Sequence, residues 1–303
     1  MSDLALAIDL GGSAVKLGLI DHSGIVRARA VIATPPAGAF VQLADAIATA
    51  LRGFSSELLP IGLATPGYLH PVTGFAVDGM GNVPVLHGQS LPEALRARGF
   101  ACVHTINDGV AAALGEARFG AGREHARLAV MTMGTGIGGA VVINGAPVTG
   151  ADGEPPEFGA IVVESPGVTL ERGAAAAAFT AEYAAHGGEQ GLTPGEIASR
   201  AARGDQLANA VLDKIARRIA CACGMMINAL ALECCLIGGG IAGAGDLLVR
   251  PIRRHLPDYV WPFLLARTQV GLTATGNDAG LLGAAASCLD SVRLGEPGTV
   301  AAL

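Results

Sequence analysis

The chain begins with a short apolar run, Leu4-Ala5-Leu6-Ala7-Ile8-Asp9-Leu10, breaks at Gly11-Gly12-Ser13 and resumes at Ala14-Val15-Lys16-Leu17. Apolar runs of this length around a Gly-rich break predict strand, turn, strand over residues 4–21. Residues 30–34 predict a third strand, and residues 40–54 carry apolar positions at helical spacing. Residues 60–64 read as a buried strand before a Pro66-Gly67 turn. A helix is expected over 91–98, stopped by Gly99, then a strand over 103–106. Asn107-Asp108 opens a helix that runs to about Phe119.

Residues 128–144 repeat the opening pattern. An offset of 123 lays Gly11 on Gly134 and Asp21 on Asn144, with matching hairpin length and turn glycines. Two related β-rich modules are therefore expected, although Gly-rich hairpins also arise independently. Beyond them, helices are predicted over 174–185, 194–203 and 205–232. A strand over 233–237 leads through Gly238-Gly239-Gly240 into another helix, and a last helix covers about 278–290. The tail from Gly295 is expected to be loose. No long polar linker divides the chain, so a domain boundary is expected within compact structure near Asn107.

Composition narrows the functional classes. About half the 303 residues are hydrophobic, aromatics are 4%, and there are 44 glycines, which suggests close helix packing and tight turns. The formal charge is -6 and no Lys/Arg-rich run occurs, which argues against a nucleic-acid partner. The first residues lack a secretory pattern, and the apolar run over 219–232 is too short to span a bilayer. A soluble cytoplasmic protein without a membrane partner is expected. Six cysteines, Cys102, Cys221, Cys223, Cys234, Cys235 and Cys288, have no nearby His that completes a zinc-like spacing. They read as small buried hydrophobes, and no zinc is expected.

The Gly-rich turns are where chemistry first suggests itself. Glycines let backbone N–H groups approach a phosphate without a Cβ in the way. Asp9, Gly11, Gly12, Ser13 and Lys16 supply such a turn with an acid before it and a cation after it. Asp9 is a candidate Mg²⁺ ligand, directly or through water, and Lys16 a candidate phosphate partner. Gly134, Thr135 and Gly136 form a second turn with a hydroxyl, and Gly239 and Gly240 a third exposed backbone. A purely structural hairpin satisfies the first pattern as well. No Walker A motif occurs, and the second turn runs into apolar strand residues rather than a helix, which disfavours a Rossmann fingerprint. Two such turns suggest a nucleotide clamped between similar domains. Asp108 has two readings: a helix N-cap, or a carboxylate that takes a proton from an attacking hydroxyl.

The ordered motifs resemble the ROK sugar kinases of the actin/hexokinase-like superfamily. They are I-D-L-G-G-S at 8–13, A-T-P-G at 64–67 and N-D-G-V-A-A-A-L-G-E at 107–116, then G-T-G-I-G-G at 134–139 and E-F-G at 157–159. L-E at 170–171 and I-G-G-G-I at 237–241 complete the series across nearly the whole chain. The resemblance implies a two-domain α/β (ribonuclease H-like) fold with the active site in the interdomain cleft. Residues 1–107 plus about 278–303 would form the small domain and 108–277 the large one. It further implies ATP with Mg²⁺ as donor, a hexose phosphorylated at its 6-hydroxyl, and a homodimer. Asp108 would be the general base. Gly67, Asn82, Asn107, Glu157 and Glu171 would meet the sugar, with Gly11, Gly12, Ser13, Gly134, Thr135 and Gly136 on phosphates. Gly239 and Gly240 would lie near the adenosine.

Two departures stand out. Ala160 occupies the place where many relatives carry a His that contacts sugar and ligates zinc, and Ser165-Pro166-Gly167-Val168 lacks the usual cysteines. Ala160 opens one edge of the sugar pocket, which suggests an amino-hexose such as kanosamine or glucosamine beside glucose. A polyphosphate donor and a non-catalytic sugar-binding protein remain alternatives. The first hairpin begins within the first ten residues, so a sugar-responsive repressor with a preceding DNA-binding domain is not expected.

Overall fold

The protein was analysed as a computed structural model that describes residues 3–56, 58–70, 73–100 and 103–294. Strands β1 (Leu4–Leu10) and β2 (Ala14–Asp21) pair antiparallel, with Asp9 opposite Lys16 and Leu10 opposite Val15. Strand β3 (Val26–Ala33) continues the meander at the sheet edge. Strands β4 (Ile61–Thr65) and β5 (Val103–Asn107) add in parallel, giving the order β3-β2-β1-β4-β5. The second sheet starts with the hairpin β6 (Arg127–Met133) and β7 (Ile137–Ile143), edged by the short β8 (Ala146–Pro147). Strands β9 (Cys234–Gly238) and β10 (Gln269–Leu272) add in parallel, giving β8-β7-β6-β9-β10. The two orders are the same when read strand for strand, which is the duplication expected from the 123-residue offset.

The hairpin lengths correct that expectation in one detail. Residues 11–14 separate the Leu10–Val15 pair, whereas residues 134–136 separate the Met133–Ile137 pair. The first turn is one residue longer. It closes with Gly11 N–H donating to the Ala14 carbonyl at 3.0 Å, and the second with Gly134 N–H to the Gly136 carbonyl at 2.9 Å.

The chain groups into two units: residues 1–120, 145–155 and 277–303, and residues 121–144 and 156–276. In the first, helix α1 (Phe40–Phe54) buries Leu43, Ile47 and Leu51 with Leu6, Ile8 and Leu10 of β1. A short α2 (Leu91–Arg96) begins at a Ser90 cap. The alternate residues Ala5 and Ala7 meet the C-terminal helix (Ala279–Leu294), so β1 is buried on both faces. Helix α3 (Asp108–Phe119) also packs on that helix. Small residues let the backbones meet: a Cβ at Gly283 would lie 1.6 Å from the Ala111 carbonyl oxygen, and one at Gly62 1.7 Å from that of Ala284. The abundance of glycine and the scarcity of aromatics thus have a packing cause. Residues 145–155 join this unit through Tyr68, whose hydroxyl donates to the Asp152 carbonyl at 2.9 Å.

The second unit packs helices on its sheet. These are α4 (Leu170–Ala174), α5 (Ala176–Ala185), α6 (Pro194–Ala202), α7 (Gln206–Leu230) and α8 (Asp246–His255). The 25-residue α7 buries Val211, Leu212, Ile215, Ile219 and Cys223 at helical spacing against the core. Cys221, Cys223, Cys234, Cys235 and Cys288 are buried, while Cys102 and the tail from Gly295 lie outside the described residues. The Cys223 contact and burial push the Cys235 thiol up, which keeps it protonated. Among the described residues, no helix is long and apolar enough to cross a membrane.

Candidate active site

Asp108 stands at the first turn of α3, but it is not the cap. Asn107 caps the helix, with Oδ1 accepting from Gly109 N–H at 2.8 Å and Val110 N–H at 3.3 Å. The N-cap reading of Asp108 is corrected by one position: the extended backbone of Asn107 sends its side chain back over the free N–H groups. Asn107 also donates from Nδ2 to the Gly67 carbonyl at 2.9 Å. Gly67 takes a φ of +74°, and a Cβ there would lie 2.2 Å from the Asp78 carbonyl oxygen, so only glycine fits. Gly67, Asn107 and Asp108 are thus brought together at the ends of β4 and β5.

Asp108 is open to solvent and accepts from Gly109 N–H at 2.8 Å. Surrounding protein raises its pKa, the Gly109 bond opposes this, and the Asp9 carboxylate adds repulsion. Because the side chain is solvent-exposed, water screens part of that push. Asp9 itself is held by the hairpin register beside Lys16, whose Nζ lies 3.1 Å from Asp9 Oδ2 and 2.7 Å from the Asn277 carbonyl. A Cβ at Gly280, on the C-terminal helix, would lie 2.8 Å from the Asp9 carboxyl carbon. Sequence reading missed Gly280, because the close approach joins residues far apart in the chain.

The first turn carries exposed Gly12 and Ser13. Thr34 fastens it, donating from Oγ1 to the Gly11 carbonyl at 2.6 Å and from N–H to the Ser13 carbonyl at 3.1 Å. Thr34 was legible only as the end of a strand. Gly12 lies against Asn82: a Cβ would sit 2.8 Å from the Asn82 carbonyl oxygen. Asn82 is therefore adjacent to the turn, with its side chain on an exposed residue.

In the second unit, Thr135 and Gly136 are exposed at the second turn. Glu171, in the first turn of α4 after the Thr169 cap, reaches that turn and accepts from Ile137 N–H through Oε2 at 3.0 Å. Glu157 precedes a 3₁₀ turn at Phe158–Ala160 and is exposed. Gly239 takes a φ of +82° against β6, where a Cβ would meet the Met133 carbonyl oxygen at 2.3 Å. Gly240 starts a 3₁₀ turn, Gly240–Ala244. The helix expected directly after the glycines begins at Asp246, because that 3₁₀ turn intervenes.

The ROK family model matches residues 5–290, nearly the whole chain. The chain belongs to the ROK family. It is 32% identical to a glucokinase of Thermotoga maritima over 303 aligned residues, covering 92% of this chain and 95% of the relative. Solved structures of ROK proteins share its fold. The ROK hexokinase of Thermus thermophilus superposes with a TM-score of 0.80 at 26% identity, over 96% of this chain and 99% of the other. A ROK glucokinase of Streptomyces griseus, in complex with glucose and AMPPNP, gives 0.76 at 25% identity, over 95% and 99%. This ROK protein has the actin/hexokinase-like α/β fold and is a sugar kinase.

Proposed function

We propose that this ROK kinase transfers the γ-phosphoryl group of ATP to the 6-hydroxyl of a hexose, with Asp108 as general base. The observation that carries the reading is Asp108 itself: a solvent-open carboxylate, raised in pKa, on a helix start that Asn107 and Gly67 hold fixed. Desolvation by the surrounding protein, with the Asp9 charge added, raises the Asp108 carboxylate toward the range useful for accepting a hydroxyl proton as the phosphoryl group transfers. Gly67, Asn82, Asn107, Glu157 and Glu171 orient the sugar. Backbone N–H groups of residues 11–13 and 134–136, with the Thr135 hydroxyl and Lys16, meet the phosphates. Gly239 and Gly240 offer flat backbone to the adenosine.

The chemistry of the donor set fits Mg²⁺. Asp9 offers a hard carboxylate oxygen, and among the described residues no three His, Cys, Asp or Glu side chains gather as a metal cage. An Mg²⁺ ion held mainly by phosphate and water needs few protein ligands, and Asp9 would contribute through water. When bound, Mg²⁺ neutralises charge on the phosphates. The kinase acts in this reading as a cytoplasmic homodimer, and light scattering of the purified protein gives the mass that tests the dimer.

The acceptor is glucose or a glucose-like amino-hexose. Ala160 closes the 3₁₀ turn after Glu157 with only a methyl group, which supports tolerance of a substituent there. The test is ADP release with glucose, glucosamine and kanosamine, each with ATP, and phosphoester formation with polyphosphate. Hexose-dependent ADP release is expected, with ATP better than polyphosphate. Glucose turned over far better than each amino-hexose would remove the role given to Ala160. No hexose-dependent release at all would overturn the assignment.

A further inference from the structure

One stretch of chain grips the second Gly-rich turn at both ends. The Gly134 carbonyl accepts from Ala176 N–H at 3.0 Å, and Ile137 N–H donates to Glu171 Oε2 at 3.0 Å. Ala175 N–H bonds back to the Glu171 carbonyl at 3.1 Å, so both holding groups belong to the junction of α4 and α5. Two glycines make room for the carboxylate. A Cβ at Gly136 would lie 2.7 Å from Glu171 Oε2, and one at Gly159 3.2 Å from the same oxygen. Glu171 thus sits between the turn and the E-F-G segment that carries Glu157. Arg218 of α7 holds α4 in place, donating from Nη1 to the Gly173 carbonyl at 2.9 Å and from Nε to Glu164 at 2.8 Å.

We infer that Glu171 has a second role: its carboxylate braces the phosphate turn and thereby couples sugar affinity to nucleotide affinity. The inference rests on the reading that this turn receives phosphate and that Glu171 meets the sugar. Oε2 is committed to Ile137 N–H, which leaves Oε1 for a sugar hydroxyl. A hydroxyl on Oε1 fixes the side chain, and a fixed side chain holds the turn N–H groups in one arrangement. Nucleotide then meets an ordered turn, and by linkage nucleotide favours sugar by the same factor. Glu171 is in this respect a positioning residue for the donor.

The experiment is calorimetric titration of AMPPNP with Mg²⁺ into the full chain, without sugar and with saturating glucose. Wild type is expected to bind nucleotide several-fold more tightly with glucose present. Glu171→Ala is expected to lose about tenfold in nucleotide affinity without any sugar, the weight of one charge-assisted hydrogen bond. Glu171→Gln, whose amide oxygen still accepts from Ile137 N–H, should recover most of that loss. If Glu171→Ala does not fold, Glu171→Asp keeps the charge but shortens the reach, and a several-fold loss is expected. Wild-type affinity of Glu171→Ala or Glu171→Asp without sugar overturns the brace and leaves the sugar contact standing. A Glu171→Gln loss as deep as that of Glu171→Ala also overturns it. Failure of the wild type to bind AMPPNP sinks the ATP reading, and the brace with it.

Discussion

Asp21 shows how one carboxylate can fix a hairpin corner. It is buried, which alone raises its pKa, yet it accepts from the Ser23 hydroxyl, Ile25 N–H, Arg27 and Ser23 N–H. These bonds outweigh burial and hold its carboxyl far below the usual range. A depressed pKa stabilises the fold above the unfolded value, near pH 4, and that stabilisation fades as pH falls toward the folded value. Asp21→Asn is expected to cost about 1–3 kcal/mol at pH 7. Melting curves should show the gap from wild type narrowing below about pH 4. Asp108 has the opposite sign. Its raised pKa means that the acidic limb of kcat should lie above the ordinary Asp value of about 3.9, which a pH–rate profile measures.

Among the elements, strands and helices with a clean apolar period were readable from the chain alone. Helix α1 was legible end to end, because Leu43, Ile47 and Leu51 fall on one face. Strand β3 was less so: it starts at Val26, where Arg27 and Arg29 alternate with small residues on a half-buried edge, so only its end showed a strand pattern. The start of helix α3 is legible in the sequence, but which member of Asn107-Asp108 caps it is not, since both residue types cap well. The turn glycines were legible as glycines, whereas the reason for Gly12, the Asn82 carbonyl beside it, comes from a distant segment. The same holds for the C-terminal helix, whose seat depends on Gly283 against Ala111. Gly283→Ala should therefore destabilise at the upper end of about 1–3 kcal/mol. Gly53→Ala, on α1 with open space around it, should instead stabilise by about 0.5–1 kcal/mol. Thermal melts of the two variants should move in opposite directions.

At the scale of the molecule, two sheets of the same strand order each present a Gly-rich hairpin turn and the end of a parallel strand. Repetition was visible in the sequence because the turn glycines recur at a fixed offset, and the order of motifs along the chain pointed to the family. The site residues were legible as types, but Thr34 and Gly280, which support them, were not, because each acts through a contact set by the fold. In the proposed function, this architecture serves phosphoryl transfer to a sugar hydroxyl through Asp108. Its most direct test is kcat of Asp108→Asn, measured as hexose-dependent ADP release beside a thermal melt. A fall of at least about 10²-fold is expected, with a melting temperature at pH 7 no lower than wild type, because the variant also removes a carboxylate whose raised pKa opposes folding. Near wild-type kcat in a folded Asp108→Asn protein would contradict it.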